Sequence, residues 1–201
     1  MKDINIFCFG FGQVAKNFIK KIYSENFNIK LSTTSRNKTN ERKLGKINYT
    51  SFQFDDDNFD PKIKESIKNS DYILISIPPK NGTDLVFKNF SNIIKDTNIK
   101  WLTYLSATSV YGDHQGNWVN EESDTKPLSS NGSGRLIAEK LWISLYLEKK
   151  LPIQIFRLSG IYSNENNTLT RLKSGNAKII NKKNHFFSRI HVEDIANVLF
   201  N

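Results

Sequence analysis

At 201 residues with a formal net charge of +9, the chain has the length of one domain with a sizeable core and is too short for two. Its Lys and Arg residues are spread in short clusters such as Lys20 with Lys21, Lys149 with Lys150 and Lys182 with Lys183; this describes a solvated surface, setting nucleic acid aside as a partner and favouring anionic small molecules. A single cysteine, Cys8, three histidines (His114, His185, His191) without metal-ligand spacing, and no signal-like or membrane-length apolar run leave no disulfide, metal or membrane expected and point to the cytoplasm.

In chain order, residues 4–9 are an apolar run that ends in Gly10-Phe11-Gly12-Gln13-Val14-Ala15. Val14, Phe18, Ile19 and Ile22 then recur on one helical face, so the segment reads strand, glycine turn, helix over 13–25. In such a turn the first glycine adopts a conformation closed to other residues, Gly12 lets the backbone approach a pyrophosphate, and Ala15 allows close packing of helix on strand. The helix start offers free N–H groups and partial positive charge to the phosphates, making Gly10, Phe11, Gly12, Gln13 and Val14 candidate cofactor-binding residues. Cys8 falls inside the strand as a small buried apolar residue.

Further strand-like runs lie at 29–34, 49–54, 72–77, 101–106 and 153–158, with helical patterns at 61–68, 84–95 and about 134–148. Pro61 reads as a first-turn proline behind Asp60. This alternation predicts an α/β fold, a doubly wound parallel sheet with helices on both faces. Residues 112–133 and 163–185 look irregular and follow strand ends on the side where such sheets bind ligands. Either they cover a substrate or they are tolerated insertions. Residues 191–201 open a helix with an acidic first turn and stop without a C-cap, which suggests a C-terminally truncated chain.

The tip of the second strand decides between cofactors: an acidic residue there reads the ribose of NAD, a basic one the 2′-phosphate of NADP. It reads Thr33-Thr34-Ser35-Arg36-Asn37-Lys38. Arg36, helped by Ser35 and the charge of Lys38, favours NADP, with NAD still open. Asp55 at the end of the third strand can accept from the adenine amino group, and Ile77 and Pro78 after the fourth flank the cofactor. Trp118, Trp142, Phe186 and Phe187 read as apolar anchors.

Three stretches, Tyr104-Leu105-Ser106-Ala107-Thr108-Ser109-Val110-Tyr111-Gly112-Asp113, Arg157-Leu158-Ser159-Gly160-Ile161-Tyr162 and Arg189-Ile190-His191-Val192-Glu193-Asp194-Ile195-Ala196, stand in the order found in the NAD-dependent epimerase/dehydratase family, an extended branch of the short-chain dehydrogenase/reductases, which the chain resembles. The resemblance implies a single Rossmann-like NAD(P)-binding domain over 1–201, with residues 163–188 part of a small substrate lobe. It further implies oxidoreductase or epimerase chemistry on a polar metabolite such as a nucleotide-linked sugar.

The departures matter as much. The family's catalytic Ser or Thr falls on Ala107, and its Tyr-x-x-x-Lys pair on Asn131 and Arg135; the glycine turn is not the GxxGxxG of the extended branch. A tyrosine phenol would move the proton while hydride moves to or from carbon. Asn131 cannot do so, and Arg135 can hold a ribose but is a poor acid or base. Ser106, Thr108 and Tyr111 remain as catalytic candidates, with His114 able to titrate in the useful range; read structurally, Tyr111 is packing and His114 a loop residue. Asp194 can cap the last helix, and Arg157 can be held by a carboxylate. Two functions stay open: an NADP-dependent oxidoreductase or epimerase, and a non-catalytic NADP-binding redox sensor or scaffold.

Overall fold

The first apolar run forms β1 (Asp3–Phe9), and the glycine turn passes into α1 (Gln13–Ser24). The computed structural model describes residues 3–178, 181 and 186–201. The chain continues through β2 (Asn28–Ser35), β3 (Asn40–Leu44), β4 (Ile47–Asp55), β5 (Asn58–Phe59), α2 (Lys62–Lys68), β6 (Tyr72–Ile75) and α3 (Leu85–Ile94). Then follow β7 (Trp101–Ala107), a 3-10 turn (Thr108–Val110), α4 (Ser130–Lys149), β8 (Ile153–Leu158), β9 (Gly160–Tyr162), α5 (Thr168–Lys173), β10 (Arg189–His191) and α6 (Val192–Phe200).

The main sheet runs β3-β4-β2-β1-β6-β7-β8, with β5 paired to β4. From β4 to β8 every neighbouring pair is parallel. The order reverses at β1, whose two neighbours are β2 and β6, so a crevice opens outside the carboxyl ends of these strands, where open α/β sheets bind ligands. The expected doubly wound fold is the observed one.

Alternating side chains give the sheet two dry faces. Phe7, Phe9, Phe52, Phe54, Ile73, Ile75 and Tyr104 pack under α2, α3 and α4, where a chain of Phe rings (Phe9, Phe54, Phe59, Phe90) meets at centroid distances of 4.9 to 6.3 Å. Each fully buried Phe contributes about 2 to 3 kcal/mol. Ile4, Ile6, Cys8, Leu31 and Leu105 face α1 and α6 on the other side. Cys8 is buried as expected, and burial pushes its thiol far up from the usual range, so it stays neutral.

Several expectations need correction. The sheet is not wholly parallel: β3 and β5 pair antiparallel with β4. The fourth strand ends at Ile75 rather than 77, with Ser76 N still donating to Phe9 O just beyond it. Helix α4 begins at Ser130, not near 134; Ser129 caps it by accepting from Gly132 N. The 163–185 segment contains α5, held by a capping box between Asn167 and Thr170, and β9 and β10 make a second, two-stranded parallel sheet. Residues 179, 180 and 182–185, which include Lys182, Lys183 and His185, lie outside the described residues. At the last helix His191, rather than Asp194, occupies the cap position. Trp118 anchors nothing and is fully exposed, whereas Trp142 is fully buried; Phe186 and Phe187 are more than half exposed. Helix α2 begins at Lys62, one residue later than expected, so Pro61 is its cap residue, in helical conformation, and Asp60 accepts from Lys62 N.

Candidate functional site

The site grows from the turn between β1 and α1. Gly10 has φ of +82°, and a Cβ there would lie 2.6 Å from Ile77 Cγ2 and 2.8 Å from Ser76 Oγ. Both conditions require glycine. The turn is pinned from both neighbouring strands: Gly10 N donates to Thr34 Oγ1 at 2.9 Å, while Ser76 donates to Phe9 O from its backbone at 2.9 Å and from Oγ at 3.0 Å.

Gly12 is different. Its φ of −83° suits any residue, and an added Cβ would meet no atom within 4 Å, so neither backbone strain nor packing requires glycine here. Gly12 is also the cap residue of α1, which has no side-chain cap and no acidic residue in its first turn. The first N–H groups and the positive end of the dipole are therefore left for an anion. Phe11 packs its ring on Tyr49 at 4.9 Å; Val14 is buried in the core, so it can serve a ligand only through its backbone. Gln13 is half-buried and its carbonyl accepts from Asn17.

Around this turn the carboxyl ends of the neighbouring strands bring up the other candidates. Ser35 ends β2, its Oγ accepting from Ser51 Oγ at 3.2 Å, and Arg36 follows it, exposed, as is Lys38. Asp55 ends β4, exposed, in a hairpin whose turn is fastened by ion pairs from Lys80 to Asp56 (3.1 Å) and Lys88 to Asp57 (2.7 Å). Ile77, half-buried, and Pro78, exposed, follow β6.

At the end of β7 stand Ser106 and Thr108. Ser106 is 3 % exposed and its Oγ has no hydrogen-bond partner; Tyr104 Oη, two residues earlier on the same face, has none either. Burial first, then the charge of Asp84, pushes the Tyr104 phenol above its usual range, and the nearby Arg135 guanidinium acts against both without completing a hydrogen bond to it. Arg135 Nη1 donates instead to Leu105 O at 2.7 Å, one residue beyond the last β6–β7 partners, Ile75 and Tyr104. Thr108 opens the 3-10 turn, half-buried, and its carbonyl accepts from Tyr111 N. Asn131 is exposed on the first turn of α4, and Ala107 carries no polar group.

Tyr111 belongs to a different assembly. Its Oη accepts from Arg157 Nη1 at 3.1 Å, and the guanidinium also lies over its ring, 4.9 Å from the centroid. Arg157 is bound to Glu139, 1 % exposed, through Nε (3.2 and 3.1 Å) and Nη2 (2.8 Å). Hydrogen bonding to Glu139, reinforced by Tyr111, holds the Arg157 pKa above its ordinary value. Tyr111 is thus a buried packing residue with its hydroxyl engaged, and His114 is a partly exposed loop residue beside Asp124 O (3.1 Å). The carboxylate expected for Arg157 is Glu139; its sequence signal is a charged residue flanked by Ala138, Trp142 and Leu145 on the buried face of α4. Sequence reasoning missed Asp84, whose Oδ1 caps α3 through Val86 N and Phe87 N and whose Oδ2 accepts from Trp142 Nε1 at 2.8 Å.

An apolar cavity of about 460 Å³ lined by Ile4, Phe18, Phe27, Trp101 and Phe200 lies at the amino ends of the strands. That is the opposite end of the sheet from the glycine turn, away from where this topology binds ligands. Among the described residues no group of three His, Cys, Asp or Glu is placed to hold a metal, and no helix is long and apolar enough to cross a membrane.

No family model and no curated protein matches the sequence. Solved structures do. A functionally unknown conserved protein from Silicibacter pomeroyi DSS is 29% identical, with a TM-score of 0.75 over 98% of this chain and 67% of that one. UDP-N-acetylglucosamine 4-epimerase from Methanobrevibacter ruminantium M1, in complex with UDP-N-acetylmuramic acid, is 18% identical, with a TM-score of 0.77 over 98% of this chain and 72% of that one. UDP-glucuronic acid 4-epimerase from Bacillus cereus, in complex with UDP-glucuronic acid and NAD, is 15% identical, with a TM-score of 0.74 over 98% and 72%. The likeness establishes the fold: a Rossmann-like sheet flanked by helices, shared with UDP-sugar epimerases.

Proposed function

We propose that the chain binds a nicotinamide dinucleotide, with its pyrophosphate on the amino end of α1, prefers NADP, and acts as an oxidoreductase or epimerase on a hydroxyl or carbonyl of a polar metabolite such as a nucleotide-linked sugar. The observation that carries this is Gly12, a glycine the fold does not need, at the uncapped start of a helix beside the strand-order reversal. The residues present fit the cofactor: amide donors at Gln13 and Val14, Arg36 with Ser35 for a 2′-phosphate, Asp55 for the adenine amino group, and Ile77 and Pro78 along the far wall.

When bound, the nicotinamide supplies hydride exchange with carbon. The chain's part is to orient and to stabilise charge. Ser106 and Thr108 donate hydrogen bonds to the reacting oxygen, Arg135 offers positive charge beside them, and residues 163–188 contribute to the cover of the substrate. Calorimetric titration with NADPH and NADH tests the reading: NADPH binds, and binds at least tenfold tighter than NADH. Flat isotherms with both refute it.

A second reading is favoured by one observation. Ala107, Asn131 and Arg135 occupy the positions of the family's proton-transfer residues, and Tyr111 is committed to Arg157. On this reading the chain is a non-catalytic NADP-binding sensor or scaffold. It predicts tight binding without turnover and a partner affinity that differs between NADP and NADPH. Turnover of any hydroxyl or carbonyl substrate removes it.

A further inference from the structure

One charge at this site is not balanced by the fold. Arg135 is half-buried on α4, uses Nη1 for Leu105 O, and among the described residues forms no ion pair. The carboxylate one turn along its helix, Glu139, is spent on Arg157. Asp84, the other buried carboxylate in this layer, is spent on the start of α3 and on Trp142. The Arg135 guanidinium stands beside the buried Tyr104 phenol, and a partly buried guanidinium without a counter-ion is costly to hold there.

Beside it is a second unmet demand. Ser106 lies on the α4-facing side of β7, in alternation with Leu102 and Tyr104, and its buried Oγ has no partner. A buried hydroxyl without a partner costs about 1 to 3 kcal/mol, so cation and hydroxyl ask for the same thing from outside the chain. A dinucleotide on α1 does not balance this charge: β1 and β7 are separated by β6, which puts the pyrophosphate roughly 10 Å away at ordinary strand spacing, and a ribose hydroxyl held by Arg135 brings no negative charge.

We infer that Arg135 and Ser106 form a carboxylate cradle, so that the substrate carries a carboxylate near its reacting hydroxyl or carbonyl. One guanidinium fork and one hydroxyl match a planar monoanion, and a phosphate dianion would leave a charge uncompensated. The inference rests on the dinucleotide reading for the position of the reacting carbon, and on the geometry of Arg135 and Ser106 for the anion.

The test is nuclear magnetic resonance of the Arg135 Nε–Hε group in the full chain saturated with NADPH, and again without dinucleotide, the signal being assigned by its loss in Arg135→Gln. Glycerate and glucuronate are titrated against glycerol, glucose and inorganic phosphate. The two carboxylates shift the signal saturably, at least tenfold more tightly than the neutral compounds and more tightly than phosphate. Ser106→Ala weakens them several-fold. Equal responses to glycerate and glycerol, no response to either carboxylate, or a tighter response to phosphate overturns the assignment. If Arg135→Gln does not fold, Arg135→Lys supplies the signal assignment and the wild-type titration decides. The calorimetric NADPH titration separates the two readings: the cradle fails if NADPH binds and the carboxylates do not register, and a carboxylate response with a flat NADPH isotherm sinks only the dinucleotide.

Discussion

The substitution Gly12→Asp separates stability from function with opposite signs. At the cap position of α1 the backbone is extended, with φ of −83° and ψ of −166°, and an added Cβ meets nothing within 4 Å. An aspartate side chain there can accept from the first-turn N–H groups and sits at the positive end of the helix dipole. Replacing an uncapped glycine by aspartate then stabilises by a few tenths to about 1 kcal/mol, or roughly 1 to 4 °C in a domain of this size. The same carboxylate occupies the place proposed for the pyrophosphate. At about 5 Å and an effective dielectric near 20, each like-charge pair costs about 3 kcal/mol, so NADPH affinity falls roughly 100-fold or more. Thermal unfolding by circular dichroism and calorimetric titration read the two effects on one preparation. A variant that is as stable as wild type and keeps its NADPH affinity refutes the reasoning, because it puts the pyrophosphate elsewhere. Gly10→Ala is the control: positive φ and a 2.6 Å approach to Ile77 Cγ2 destabilise it by about 2 to 5 kcal/mol.

Arg36→Ala lowers NADPH affinity roughly tenfold or more and leaves NADH within about twofold, read by the same titration; equal losses for both cofactors reject the 2′-phosphate role. Glu139→Ala strands the Arg157 guanidinium, leaving it Tyr111 Oη and the Glu121 carbonyl. A broken buried pair costs about 3 to 5 kcal/mol, reduced here to about 2 to 3 because Arg157 is 21 % exposed and can reach water; chemical denaturation measures it, and a loss below about 1 kcal/mol contradicts the network. Asp84→Ala leaves two α3 amides and Trp142 Nε1 without an acceptor, for a loss of about 3 kcal/mol in the same measurement. Burial holds the Asp84 carboxyl above its usual range against its three hydrogen bonds. The native state therefore keeps that proton at pH values where the unfolded chain has lost it, and the contribution of Asp84 to stability falls as pH rises through that window. Compared with Asp84→Asn, wild type gains ground as pH drops from 7 toward 4; a melting-temperature difference that does not move with pH shows that the carboxylate is not strained.

Much of the architecture is legible because the core elements announce themselves twice, by period and by composition. Residues 4–9 and 101–106 are predominantly apolar runs of a buried parallel strand, and α1 places Val14, Phe18, Ile19 and Ile22 on one face. What escapes is held by tertiary contact. The strand β3 is Asn40-Glu41-Arg42-Lys43-Leu44, polar and mostly exposed, and exists because its backbone pairs with β4 across a turn with Gly45 at φ +59°. The first turn of α4 is Ser130-Asn131-Gly132-Ser133, poor helix formers, yet Ser129 caps it and Gly132 lies against Ser109 O, where a Cβ would come within 2.6 Å. Glycine there is a packing requirement, invisible in a propensity sum.

The site divides along the same line. The glycine turn and Arg36 are local in sequence and could be read there, whereas the partners of α4 could not. That helix carries Arg135, Glu139 and Trp142 at positions i, i+4 and i+7, a polar stripe on the face that also buries Ala138 and Leu145. A polar stripe inside a core is tolerated only when every member is satisfied. Glu139 has Arg157 and Trp142 has Asp84, and these two pairs, with Tyr111 attached, belong to the fold. Arg135 has one carbonyl and no ion pair among the described residues. The imbalance separates roles that the sequence merges: the Tyr111 hydroxyl is engaged by Arg157, while Arg135, a weak acid–base candidate, becomes the residue whose charge still needs an explanation from a ligand.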